Sequence, residues 1–121
     1  MPKETFFKNR IRSVGYALRG LLLLLSTEAS IKVQFVIALM VTAAGFYFGI
    51  SSTEWMIQLL AIGLVLGVEG LNTAVEKLAD FVHPDHHKKI GFVKDVSAGA
   101  VMFVSLMAFV VGLLIYIPKV I

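Results

Sequence analysis

The chain has 121 residues, of which 58% are hydrophobic and only 16% are charged, with a formal net charge of +3 and no cysteine. This composition excludes an ordinary water-soluble domain and indicates one small membrane domain over residues 1–121. The lack of cysteine excludes disulfides, iron–sulfur clusters and catalysis by a thiol.

The first predicted element is a basic amphipathic helix over about residues 5–27. Its basic residues include Lys8, Arg12 and Arg19, and their order relative to the apolar residues is not that of a cleavable secretory signal. Such a helix is expected to lie on the membrane surface, with positive charge at anionic headgroups. It can be a simple anchor or a lid over a site at the interface. The apolar positions at helical spacing are Phe7, Ile11, Val14, Leu18, Leu21, Leu22 and Leu25.

Three later segments are apolar enough to cross a bilayer, whose hydrocarbon core requires about 20 helical residues. They are predicted over about residues 30–50, 54–82 and 94–118. Positions 33–50 and 96–117 contain no charged residue, and Pro118 with Lys119 is expected to end the last span. The fold class is therefore an all-α integral membrane protein, with an amphipathic surface helix and three transmembrane helices.

The distribution of basic residues predicts the orientation of these spans. Ten of the eleven lysines and arginines lie before residue 33 or between Lys77 and Lys94. By the positive-inside rule, the N-terminus and the loop between spans two and three are cytoplasmic. The segment 49–54 and the C-terminus then face outward.

The second span contains a stripe of polar residues. Glu69, Asn72, Glu76 and Asp80 fall within about 80° of one another on a helix. Carboxylates at membrane depth are costly and usually mark a functional site. The alternative is that these side chains only hydrogen-bond the span to its neighbours.

Small residues and histidines have simpler interpretations. The pairs Gly45/Gly49 and Gly63/Gly67 are typical of close helix packing, as is Gly70. His83, His86 and His87 could suggest zinc, but a solvated loop is preferred because no cysteine or other convincing ligand pair accompanies them. Neither a glycine-rich phosphate-binding loop nor a nucleophile elbow is present.

Three runs of residues resemble the prokaryotic diacylglycerol kinase family, which includes undecaprenol kinases. They are Glu-Gly-Leu-Asn-Thr-Ala-Val-Glu-Lys-Leu-Ala-Asp over 69–80, His-Pro-Asp-His-His over 83–87 and Lys-Asp-Val-Ser-Ala-Gly-Ala-Val over 94–101. The basic amphipathic start and Glu28 before the first span extend the resemblance over nearly the whole chain.

The resemblance implies a homotrimeric helical bundle in the bacterial cytoplasmic (inner) membrane, with active sites shared between subunits. It implies transfer of the γ-phosphate of ATP, with Mg²⁺, to the hydroxyl of a membrane lipid alcohol at the cytoplasmic surface. Pro84 and the 94–101 run look more like undecaprenol kinases than like diacylglycerol kinases. No nucleic-acid partner is expected.

The resemblance also implies roles for individual residues. Glu69 is the expected general base, Asn72 orients substrate or base, and Glu28 and Glu76 are the expected magnesium ligands. Lys94 is the expected phosphate contact, with Asp95 as its partner. The other expected nucleotide-binding residues are Tyr16, Asp85, His86 and His87. Ala98 is expected beside the lipid with Glu69, while Arg10 and Asp80 are expected to support the site.

These residue types also suit phosphoryl transfer on chemical grounds. Magnesium prefers oxygen ligands and keeps several waters, so two carboxylates and the ATP phosphates suffice. Two other classes of function remain open at this point. A proton or cation pathway would use the acidic stripe, and a non-catalytic membrane scaffold would need only the apolar spans and glycines.

Overall fold

The computed structural model describes residues 5–121, and the first four residues of the predicted domain lie outside that part. The described chain forms four helices and no strand: α1 (Phe6–Thr27), α2 (Ala29–Phe48), α3 (Ser52–Val82) and α4 (Lys88–Val120). The last three are long and apolar enough to cross a membrane. The all-α membrane class is therefore confirmed.

Helix α1 has the character of a surface helix. Thr5 caps it by accepting a hydrogen bond from the Lys8 backbone N–H, and no residue within Phe6–Thr27 is buried. Its predicted apolar stripe is largely exposed, with Phe7 at 76% and Leu22 at 66%. Such exposed apolar area suits the acyl boundary of a bilayer, as predicted.

Two local breaks define the ends of α2. At Glu28 the backbone is extended (φ −101°, ψ 117°), so one non-helical residue separates α1 from α2. At the other end Gly49 adopts φ 59°, a left-handed conformation that ends the helix. The prediction that Gly49 serves helix packing was therefore wrong, whereas Gly45 does lie in a close approach. A methyl group on Gly45 would lie 2.7 Å from the Trp55 ring.

Helices α3 and α4 are longer than a bilayer core requires. Their 31 and 33 residues span about 46 and 50 Å, against a hydrocarbon thickness of about 30 Å. They form the most extensive helix pair of the described chain. Helix α4 begins at Lys88, six residues before the predicted start at 94, because the His87 imidazole caps it. It also continues past Pro118, since the Ile121 N–H bonds to the Ile117 carbonyl at 3.2 Å.

A polar network joins the three spans in the halves nearest the α2–α3 turn. The Tyr116 hydroxyl donates to Gln58 Oε1 at 2.6 Å and lies 3.2 Å from the Val41 carbonyl oxygen. Gln58 Nε2 lies 3.4 Å from the same carbonyl oxygen, and the Lys119 ammonium donates to Glu54 at 3.1 Å. Because Gln58 is only 3% exposed, these bonds satisfy polar groups that would be costly to bury alone.

Gly63 and Gly67 do not show the close approach expected of packing glycines. A methyl group on either would meet no atom within 4 Å, and both positions are exposed. The neighbouring helices of the described chain pack on other faces of α3. At Gly70, in contrast, a methyl group would lie 3.0 Å from Leu24 Cδ1, so the predicted close approach is present and involves α1.

Candidate functional site

The polar stripe of α3 is buried along its central part. Glu69 is 7% exposed, and Asn72 and Thr73 are each 9% exposed. The Thr73 hydroxyl donates to the Glu69 backbone oxygen at 3.2 Å and so does not occupy the Glu69 carboxylate. Glu69 lies about 26 Å along α3 from Ser52, near the far boundary of a hydrocarbon layer about 30 Å thick. A buried carboxylate at that depth is suited to chemistry at the interface.

The end of α1 covers this part of α3. Leu24 packs directly on Gly70, where the missing side chain leaves room for it. Gly70 is itself buried and adjoins Glu69 in the sequence. This contact joins the end of α1 to α3 beside Glu69, and the lid role that the sequence left open stays a prediction.

One turn further along α3, Asn72 Nδ2 donates to Glu76 Oε1 at 3.0 Å. Asn72 Oδ1 is buried and has no hydrogen-bond partner in the described chain. Buried polar atoms are nearly always paired, so an unpaired oxygen beside a carboxylate suggests a missing donor or cation. Glu76 itself is exposed and can be reached from the aqueous side.

Glu28 approaches α3 from the break between α1 and α2. Its carboxylate oxygen lies 3.8 Å from the Lys77 ammonium, and Lys77 directly follows Glu76. Glu28 therefore lies at the level of Glu76 along α3, while Lys77 projects about 100° from Glu76 around the helix. No group of three or more acidic, histidine or cysteine side chains suited to a metal occurs in residues 5–121. Carboxylate and amide oxygens are nevertheless the donors that magnesium takes, together with several water ligands.

Near the loop between α3 and α4, Lys94 forms an ion pair and a hydrogen bond with Asp80. In the described chain Lys94 thus pairs with Asp80, and the expected partnership of Lys94 with Asp95 at the phosphates stays a prediction. Neighbouring residues on α4 project about 100° apart, so only Lys94 faces α3 here. Asp80 thereby fixes the position of Lys94 across the α3–α4 pair, which is consistent with a supporting role.

The loop between α3 and α4 is exposed and locally ordered by its histidines. The rings of His83 and His87 lie 5.0 Å apart, and His83 Nδ1 lies 2.6 Å from the Asp85 backbone oxygen. His87 Nδ1 accepts the Lys89 backbone N–H at 3.1 Å. The Asp85, His86 and His87 side chains are open to solvent, where a soluble nucleotide can reach them.

The remaining predicted residues lie further from the buried carboxylate. Tyr16 is exposed on α1 about 12 Å along the helix from Leu24. The Arg10 guanidinium lies 4.9 Å from the centroid of the Phe6 ring, near the start of the same helix. Ala98 is exposed on α4, one turn beyond Lys94.

Comparison with known proteins identifies the family of this chain. A family model described as prokaryotic diacylglycerol kinase matches residues 15–116. The chain belongs to this family. It is 36% identical over 114 residues to the undecaprenol kinase of Bacillus subtilis, covering 94% of this chain and 89% of that protein. It is 28% identical over 101 residues to the diacylglycerol kinase of Haemophilus influenzae, covering 84% and 86% of the two chains. It is 26% identical over 104 residues to that of Escherichia coli K12, covering 86% and 85%.

Within this family member, sequence reasoning missed two features of the site and its support. One is Lys77, whose position directly after Glu76 in an acidic stripe was the available signal. The other is the link between Gln58 and Tyr116, two polar residues within otherwise apolar spans. Each involves a contact between different helices, which the spacing within one helix does not reveal.

Proposed function

We propose that this protein is an integral-membrane lipid kinase that transfers the γ-phosphate of ATP to the hydroxyl of a membrane lipid alcohol. The main structural support is the buried Glu69 carboxylate on α3, beneath the end of α1 and within two turns of Glu76. Membership of the prokaryotic diacylglycerol kinase family supports the same reaction. A site at the cytoplasmic face of the bacterial inner membrane agrees with the distribution of basic residues.

In the proposed reaction, Glu69 accepts the proton of the lipid hydroxyl. The hydroxyl oxygen then bonds to the γ-phosphorus of ATP, the bond from that phosphorus to the bridging oxygen breaks, and ADP leaves with the electron pair. Burial favours Glu69 as a base because a site closed to bulk water strengthens electrostatic interactions within it. Asn72 orients the Glu76 carboxylate on the acidic face of α3, which is formed by Glu69, Asn72, Glu76 and Asp80.

Charge on the phosphates is neutralised from both sides of the acidic face. Lys94, held by Asp80, supplies a fixed positive charge at the cytoplasmic end. Magnesium, when bound, would be held by Glu28 and Glu76 and would offset the negative charge of the ATP phosphates. Tyr16, Asp85, His86, His87 and Asp95 complete the proposed nucleotide-binding set.

The acceptor is proposed to be a lipid with a long apolar tail. A cavity of about 410 Å³ between α2, α3 and α4 includes Val65 and Leu66, one turn from Glu69. It offers apolar surface on the membrane side of the carboxylate. Undecaprenol is the preferred acceptor and diacylglycerol the second, because the undecaprenol kinase relative is 36% identical whereas two diacylglycerol kinase relatives are 28% and 26% identical.

We further propose that three copies form the working enzyme and share its sites. The exposed faces around Gly63 and Gly67 support association, because small residues let helices of neighbouring subunits approach closely in lipid. The number three comes from the family resemblance.

Transfer of label from γ-labelled ATP in mixed micelles tests the proposed function. Undecaprenol and diacylglycerol are offered separately with magnesium, and the labelled lipids are separated and counted. The proposal predicts labelled lipid, with a higher rate for undecaprenol. No label on either lipid, from a folded oligomer, would contradict the proposal.

A further inference from the structure

Lys77 directly follows Glu76 but projects about 100° from it, beside the acidic face, and the proposed reaction gives it no role. Its side chain is 73% exposed, and its ammonium lies 3.8 Å from an oxygen of Glu28, whose side chain is 25% exposed. The distance is at the long end for an ion pair, and exposed pairs of this kind are weak. The contact can therefore form and break readily.

The Glu28 carboxylate makes few other polar contacts in the described chain. Its backbone N–H bonds to the Leu24 carbonyl at 3.3 Å, and its carbonyl accepts from Lys32 at 3.1 Å. Its side chain makes no capping bond to α2, although it occupies the capping position. The carboxylate is thus directed toward α3, where Lys77 pairs with it.

The same carboxylate is a proposed magnesium ligand, so the ammonium and the metal compete for it. A carboxylate paired with an ammonium attracts a divalent cation less strongly than an unpaired one, because the two positive charges repel. A second lysine–acid pair, Lys94 with Asp80, lies about one turn further along α3. The pair at Glu28 differs because it joins the break between α1 and α2 to α3.

We propose that Lys77 is a positioning residue that occupies the Glu28 carboxylate until a divalent cation displaces it. This inference rests on the proposed function, which assigns Glu28 to the metal. The Lys77 ammonium then serves as the positively charged partner of Glu28 when no metal is bound. Its consequence is that removing the lysine charge tightens metal binding, whereas losing an ordinary ligand would weaken it.

The test measures how tightly the Lys77→Gln protein binds Mn²⁺ in micelles that also contain a non-hydrolysable ATP analogue. Free Mn²⁺ is quantified by its electron paramagnetic resonance signal. Because an exposed pair is worth up to about 1 kcal/mol, the dissociation constant should fall about two- to fivefold. Lys77→Arg keeps the charge and should bind as the parent protein does. Lys8→Gln is the matched control, since Lys8 is about 30 Å along α1 from Glu28, well beyond the screening length.

An unchanged Mn²⁺ affinity in Lys77→Gln would overturn the inference. Weaker binding would also overturn it and would indicate that Lys77 contacts the nucleotide phosphates instead. Equal tightening in Lys8→Gln would show a general charge effect and count against the inference. The parent preparation is assayed separately for label transfer to lipid, so failure of the kinase proposal is recognised independently of the Lys77→Gln result.

Discussion

The contact between Leu24 and Gly70 can be tested by enlarging the glycine. In Gly70→Val, the new Cβ would lie 3.0 Å from Leu24 Cδ1, and the two further methyl groups need additional space. Overpacking of this kind costs about 1–3 kcal/mol, and the better helix propensity of valine recovers only a few tenths. A net loss of about 1.4 kcal/mol corresponds to a tenfold change in the equilibrium between covered and uncovered forms. The buried face of α3 should therefore become about tenfold more accessible.

The absence of cysteine makes this accessibility measurable at one position. Thr73→Cys places a thiol on the buried face, and its reaction with a water-soluble maleimide is followed with and without Gly70→Val. Gly20→Val is the matched control, because Gly20 lies on the covering helix one turn from Leu24 and has open space around it. An equal reaction rate with and without Gly70→Val would refute the idea that this contact holds α1 over the site.

Three further results are expected. Gln58→Leu should lower the free energy of unfolding by about 0.5–1.5 kcal/mol in a denaturant titration, because the half-buried Tyr116 hydroxyl loses its 2.6 Å acceptor and keeps only the Val41 carbonyl oxygen at 3.2 Å; unchanged stability would contradict this. Asp80→Asn should change the free energy of unfolding by at most about 1 kcal/mol, because the Lys94–Asp80 pair is exposed. It should raise the KM for ATP, because Lys94 is no longer held in position, and an unchanged KM would show that Asp80 does not position Lys94. Chelation of divalent cations should abolish label transfer and added magnesium should restore it, whereas activity that survives chelation would exclude the proposed metal site.

Hydropathy and angular spacing were sufficient to predict the helices and the polar face of α3. The bond from Asn72 to Glu76 joins residues one turn apart, so their spacing alone places them together. The end of α2 at Gly49 was also accessible to local reasoning, because glycine there is followed by the Ser51–Glu54 capping box. It was instead interpreted as a packing residue.

Contacts between helices were not predictable from the same patterns. The Lys94–Asp80 pair depends on how α3 and α4 align across the loop, and the bond from Tyr116 to Gln58 joins residues 58 positions apart. Helix packing fixes such alignments, and hydropathy does not report it. The roles of single residues came from the family resemblance, and the structure adds which of those residues lie together.

The most direct test of the account compares label transfer by Glu69→Gln and Glu54→Gln at saturating ATP and undecaprenol. Gln keeps the size of the buried side chain, and the Thr73 bond at Glu69 uses the backbone oxygen, so assembly should be preserved. Removing a general base should lower the rate by about 10²–10⁴-fold. Glu54→Gln should transfer at the parent rate because glutamine can retain the capping box at the opposite end of α3. A near-normal rate in a correctly assembled Glu69→Gln protein would contradict the central claim.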